Sequence, residues 1–128
     1  MLDLKPIGVV QSSLTKKEDC PLQGSEGAPE AWLKIEKPFT DGLDGLKVGT
    51  EVILLTWFHL ASRDVVKCYP RNQVTAPHVG VFTTRSPDRP NPIGLHPVKI
   101  MAIEPGRVKV FPLEALDGTL VIDIKPVI

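Results

Sequence analysis

The chain has 128 residues, 42% of them hydrophobic, which is enough to fill one core and argues against disorder. Fifteen basic and fifteen acidic side chains cancel, which excludes a uniformly basic nucleic-acid binder but not a local basic patch. No stretch approaches the roughly 20 apolar residues of a membrane span, and MLDLKPIGVVQSSL at the N-terminus carries no signal-like apolar run. No membrane association is therefore expected, and Cys20 and Cys68, which form no CxxC pair, make a reducing cytoplasmic setting the expectation.

Lys5–Ser12 (KPIGVVQS) predicts a first strand interrupted by Gly8. Ser12–Pro29 (SSLTKKEDCPLQGSEGAP) is polar, punctuated by Gly and Pro, and long for a connector, so it reads as a binding loop. Ala31–Glu36 alternates, with Ala31, Leu33 and Ile35 on one face. Asp41–Val48 offers one helical turn, kept short by Gly42, Gly45 and Gly49. Val52–Phe58 (VILLTWF) is apolar throughout and predicts a strand buried on both faces. Shorter strands are expected at Val65–Tyr69, Val79–Thr83 and Val98–Ile103. Alternation returns in Arg107–Phe111, with Val108 and Val110 inward, and in Leu120–Lys125, with Leu120, Ile122 and Ile124 opposite Asp123 and Lys125. Eight strand-like runs, thirteen prolines, ten glycines and almost no helix predict an all-β barrel or sandwich, one domain over residues 1–128.

Between Leu60 and Ile100, six basic residues (Arg63, Lys67, Arg71, Arg85, Arg89 and Lys99) face only Asp64 and Asp88. That window carries a local charge of +4 and leaves −4 for the remainder. Inside it lies VGVFTTRSPDRPNPIGL, Val79–Leu95, where Pro87, Pro90 and Pro92 hold the backbone in one extended path. Such a segment either crosses over as rigid scaffold with surface arginines or presents Arg85, Ser86, Arg89 and Asn91 to a ligand at low entropic cost.

GVFTTRSPDRPNPIGL and the later LDGTLVIDIKP (Leu116–Pro126) closely resemble the signature of the TsaA-like, TrmO-type tRNA methyltransferase family. The likeness extends to IGVVQSS, to CPLQG at Cys20–Gly24 and to WFH at Trp57–His59, in the same order along the whole chain. It implies a small β-barrel that binds S-adenosylmethionine without a Rossmann fold; the sequence has no GxGxxG after a first strand. It also implies a homodimer with the cofactor near the subunit interface. The implied reaction is methylation of the exocyclic nitrogen of threonylcarbamoyl-adenosine, immediately 3′ of the anticodon in tRNA.

Taken residue by residue, the resemblance implies cofactor contacts at Gln23, Gly24, His59, Leu60, Arg85, Leu95, Glu114, Ala115, Leu116 and Asp117. By itself His59, a lone histidine at a strand end, reads as a structural residue, and Asp117-Gly118 as an ordinary turn signal. The acceptor nitrogen is acylated and a poor nucleophile, so a base is expected. His59 and Asp117 are the catalytic candidates, with Tyr69 behind them; Arg71, Arg89 and Asn91 are the substrate-binding candidates. His59, His78 and His96 have no metal-ligand spacing, and no metal is expected.

The chain departs from the family pattern in three places. Pro21-Leu22-Gln23 stands where an arginine is common, no Tyr follows Pro126, and the C-terminal domain with which bacterial members engage tRNA is not expected. A cofactor-binding or sensor protein without tRNA methylation, and a methyltransferase acting on another RNA or small molecule, are therefore the alternatives. An oligonucleotide-binding barrel needing no cofactor is disfavoured by having only seven aromatics, mostly within apolar runs.

Overall fold

The computed structural model describes residues 2–69 and 78–128. Its strands are β1 (Gly8–Gln11), β2 (Ala31–Ile35), β3 (Glu51–Trp57), β4 (Lys67–Cys68), β5 (Val79–Gly80), β6 (Ile93–Glu104), β7 (Arg107–Phe111) and β8 (Leu120–Pro126). Six of the eight close into a barrel in the order β1-β2-β7-β6-β3-β8, while β4 and β5 pair separately as a two-stranded ribbon. Every neighbouring pair is antiparallel. The expected barrel is thus present, with two of its eight strands outside the wall.

Alternation decides what fills the interior. Val10, Leu33, Leu54, Val110, Leu113 and Val121 are fully buried, and Ala31, Ile35, Val52, Val98, Ile100, Val108 and Ala115 complete the core. Burying one such aliphatic side chain stabilises the fold by about 1.5–3 kcal/mol.

Three expectations change. In β3 only one face is fully buried: Val52, Leu54 and Thr56 point inward, whereas Ile53, Leu55 and Trp57 are half-buried. These three sit beside Pro97, Leu95 and Ile93 of β6. A bulge in β8 sets Leu55 opposite Asp123 but Thr56 opposite Val121, so Val121 and Ile124 turn to the core rather than Leu120, Ile122 and Ile124 together. At residues 41–48 there is no α-turn; a 3₁₀ run, Lys37–Leu43, has Pro38 in its first turn and gives way to turns at Gly45 and Gly49, both with positive φ.

β6 is longer than the six residues expected and runs through Pro97, which by itself argues against a strand interior. Pairing with β7 begins only at Lys99, so the barrel asks for no ladder bond on that side of Pro97. Val79–Thr83 yields two strand residues followed by a 3₁₀ turn, Val81–Thr83.

Strand polarity fixes where the connections lie. The ends of β1, β3 and β7 and the starts of β2, β6 and β8 share one rim, as Gln11 beside Trp32 and Trp57 beside both Ile93 and Leu120 record. Segments 12–30, 58–69 with 78–92, and 112–119 therefore lie at that rim, and 36–50 and 105–106 at the other.

At the start of β6 the interior is tightly packed. A Cβ on Gly94 would lie 2.4 Å from Thr56 Oγ1, 2.5 Å from Phe58 Cζ and 2.6 Å from His96 Nε2. Gly94→Ala is expected to cost about 2–3 kcal/mol through overpacking, seen as a lowered midpoint in denaturant unfolding. An unchanged midpoint would contradict this β3–β6 packing.

Candidate functional site

The loop between β1 and β2 is ordered against the 112–119 connection. The Asp117 N–H donates to Leu14 O (2.7 Å), Ser12 N–H to Asp117 Oδ1 (2.9 Å) and Leu113 N–H to Pro29 O (3.0 Å). Gly118, with φ of 86°, makes the tight turn that leads into β8. At Gly24 an added Cβ would stand 2.9 Å from Glu114 Oε2 and 3.1 Å from Pro112 Cγ, so this glycine forms a cradle over the Glu114 carboxylate. Gln23, Gly24 and the four residues Glu114–Asp117 are thereby gathered into one place. Ala115 is a core side chain, which leaves only its backbone for a ligand. Beside Asp117, an open pocket of about 410 Å³ is lined by Ser12, Ser13, Trp32 and Lys109 among others.

Beneath this place runs a buried polar chain. Thr56 Oγ1 lies 2.7 Å from His96 Nε2, and His96 Nδ1 bonds Glu114 Oε1. Thr56 and His96 are closed off from solvent, and the Phe58 ring meets the imidazole edge-on at 5.8 Å. Burial, followed by the charges of Asp19 and Glu114, pushes the Cys20 thiol pKa up.

The 58–92 connection supplies the opposite side of the rim. His59 and Leu60 are exposed in the turn after β3, fixed by Phe58 N–H to Pro92 O (2.9 Å) and Ala61 N–H to Phe58 O (3.1 Å). Arg63 lies over the Trp57 ring and donates to Pro90 O (2.8 Å) and Asn91 Oδ1 (3.1 Å). Asp88 accepts from Ser62 N–H at 2.8 Å.

Two substrate-binding candidates therefore have internal work. Arg89, expected to face a substrate, turns its guanidinium onto the carbonyls of Val81 and Thr84, and the Asn91 side-chain oxygen is held by Arg63. Arg85 is exposed and makes no hydrogen bond or ion pair among the described residues. Arg71 lies outside the described residues. Leu95 sits on the outer face of β6, 43% exposed, one residue from the buried His96. Tyr69 is partly exposed, its ring 4.8 Å from that of His78. Sequence reasoning missed Thr56, His96 and Arg63; continuing the β6 alternation back through Pro97 would have placed Gly94, His96 and Val98 inside together.

Among the described residues no group of three or more His, Cys, Asp or Glu is placed to hold a metal ion, and no helix is long and apolar enough to cross a membrane.

Comparison with known proteins agrees with this architecture. An Archaeoglobus fulgidus S-adenosyl-L-methionine-binding protein is 45% identical over 122 residues, spanning 95% of this chain and 86% of that one. A putative S-adenosylmethionine-dependent methyltransferase, RcsF of Pseudomonas aeruginosa, is 39% identical over 133 residues, spanning 96% of this chain and 53% of that one. The crystal structure of TrmO from Pseudomonas aeruginosa superposes with a TM-score of 0.78 at 34% identity, covering all of this chain and 55% of that chain. The chain thus spans about half the length of the solved TrmO. Residues 9–128 match the tRNA-methyltransferase O N-terminal domain model, and the chain belongs to that family.

Proposed function

We propose that this protein binds S-adenosylmethionine at the rim to which residues 12–30, 58–69, 78–92 and 112–119 contribute and methylates tRNA at the exocyclic nitrogen of threonylcarbamoyl-adenosine. The observation that carries the reading is the gathering of the Gly24 cradle, Glu114 and Asp117 at one place on a barrel that belongs to this family. These residues suit the cofactor: Glu114 and Asp117 offer acceptors to a cationic, hydroxyl-bearing ligand, Arg85 offers an unengaged guanidinium to an anionic group, and Leu60 and Leu95 offer apolar surface. Bound S-adenosylmethionine supplies a methyl group already activated as a sulfonium.

The chain's own task is alignment and the handling of one proton. His59 presents an exposed imidazole at the rim. Asp117 has Oδ1 tied to Ser12 N–H, leaving Oδ2 unengaged among the described residues. Either group can hold the proton lost from the acceptor nitrogen. The second reading, a binding protein without transfer, is favoured by the name of the Archaeoglobus fulgidus relative, which records binding alone.

A homodimer and a cytoplasmic setting belong to the same proposal. The outer face of β3 and β6 carries Ile53, Leu55 and Trp57 beside Pro97, Leu95 and Ile93, an apolar surface with Leu95 at its centre. A second copy seated there would cover it and bring two cofactor sites close to the interface.

Radiolabelled methyl transfer decides the main reading. Label is expected in tRNA carrying the threonylcarbamoyl group and absent from tRNA made without it; no label in either, with calorimetric binding intact, selects the binding protein. Replacing the base, His59→Ala or Asp117→Asn, is expected to lower turnover about 100-fold or more in one of the two while binding persists. Full turnover in both variants removes them as candidates. By light scattering the protein is expected to run as a dimer and Leu55→Arg as a folded monomer, and a monomeric wild type would rule the dimer out.

A further inference from the structure

We propose that His96 is a positioning residue: from inside the barrel it fixes one oxygen of Glu114 so that the other is presented to the cofactor at the Gly24 cradle. This rests on the reading of the rim as the S-adenosylmethionine site.

Hydroxyl, imidazole and carboxylate in series (Thr56, His96, Glu114) have the connectivity of a hydrolytic triad. The hydroxyl, however, is at the sealed end. Thr56 is 0% exposed and His96 1%, so no substrate carbonyl can reach Oγ1. The end that meets solvent is Glu114, whose side chain is 15% exposed. The chain therefore acts outward, with the interior groups holding the carboxylate.

The proton positions follow from donor chemistry. An ionised carboxylate only accepts, so Nδ1 carries the hydrogen and donates to Oε1, and in the neutral imidazole Nε2 then accepts from the Thr56 hydroxyl. Every polar atom of the imidazole is satisfied, as a histidine sealed in an apolar barrel requires. Glu114 is left with Oε2, the oxygen that lies 2.9 Å from where a Gly24 Cβ would stand. A carboxylate already held at one oxygen loses little freedom when the other takes a ligand donor. The ammonium, the ribose hydroxyls and the sulfonium of S-adenosylmethionine are all groups such an oxygen can serve.

The test combines cofactor affinity with a spectrum that needs no cofactor. His96→Leu and Glu114→Gln are each expected to weaken S-adenosylmethionine binding about tenfold or more by calorimetry, the scale of one lost hydrogen bond to a charged group. Added to Glu114→Gln, His96→Leu should change affinity less than about twofold, because both remove the same interaction. His96→Asn, which keeps an N–H near the place of Nδ1, should bind within about threefold of the wild type by the same reasoning. If His96→Leu does not fold, His96→Gln, whose amide reaches toward Thr56 instead, takes its place. Additive losses, or wild-type affinity in a folded His96→Leu, overturn the proposal.

In long-range proton–nitrogen spectra of the free protein, His96 should be the Nδ1–H tautomer, with that proton shifting in Glu114→Gln. An Nε2–H tautomer overturns the pairing. The expected spectrum together with no S-adenosylmethionine binding by the wild type instead removes the cofactor-site reading, and the positioning role with it, while the pair itself stands.

Discussion

Closure of the sheet is the constraint on which the rest depends, and it rests on the shortest strand of the wall. β1 is four residues long, pairs along its full length with β2, and meets β8 at only two positions, Gly8 with Val121 and Val9 with Leu120. Bonds just beyond that ladder extend the seam: Ile7 N–H to Val121 O, Val10 N–H to Thr119 O and Gly118 N–H to Val10 O, each 2.8 Å. Without them β1 and β8 would each present an open edge. With them the wall has no edge, and all irregular chain is driven to the two rims. The seam itself ends at the Asp117-Gly118 turn, so the device that closes the barrel also places the acidic group of the candidate site.

A barrel rim recognises a ligand differently from the crevice of a doubly wound sheet. There, helix N-termini supply donors and a positive dipole end. Here the longest helical run among the described residues is seven residues of 3₁₀, at the other rim, so charge and hydrogen bonding must come from side chains and loop backbone. Side chains on loops are mobile unless something holds them. That is the physical reason for the dense bonding around the candidate site: Asp117 tied to Ser12, Arg63 clamped across Trp57, Pro90 and Asn91, and Glu114 tethered from below by His96.

Much of this was legible in the amino-acid order. The period-two runs at Ala31–Glu36 and Arg107–Phe111 predicted both strand and face, because the β2–β7 ladder that joins them is regular. Where the ladder shifts, as at Leu55/Thr56 opposite β8, alternation counted along one strand assigns the wrong face, since a bulge is visible only once the partner is known. VILLTWF is apolar on both faces but only one is sealed, and sequence does not tell a buried second face from one left half-covered. The cofactor candidates came from family likeness rather than from chemistry visible locally. His96 escaped because Pro97 masked the strand that carries it, and its partners Thr56 and Glu114 lie forty and eighteen residues away.

The proline-rich string contains two arginines that looked equivalent and have opposite fates. Arg89 is drawn into the fold, bonding the Val81 and Thr84 carbonyls, with its backbone N–H on Ser62 O. Asp88, Pro90, Asn91 and Pro92 are likewise consumed by Ser62, Arg63 and Phe58. Most of RSPDRPNPIG is therefore scaffolding for the connection between β3 and β6, and its length as a signature reflects what that path demands of the backbone as much as what a ligand demands. Of the string's two arginines only Arg85 is left for a ligand, while across the rim Glu114 and Asp117 each keep one carboxylate oxygen without a partner among the described residues. An anionic group and a cationic group on the same small ligand are what such a separation suits, and S-adenosylmethionine carries both.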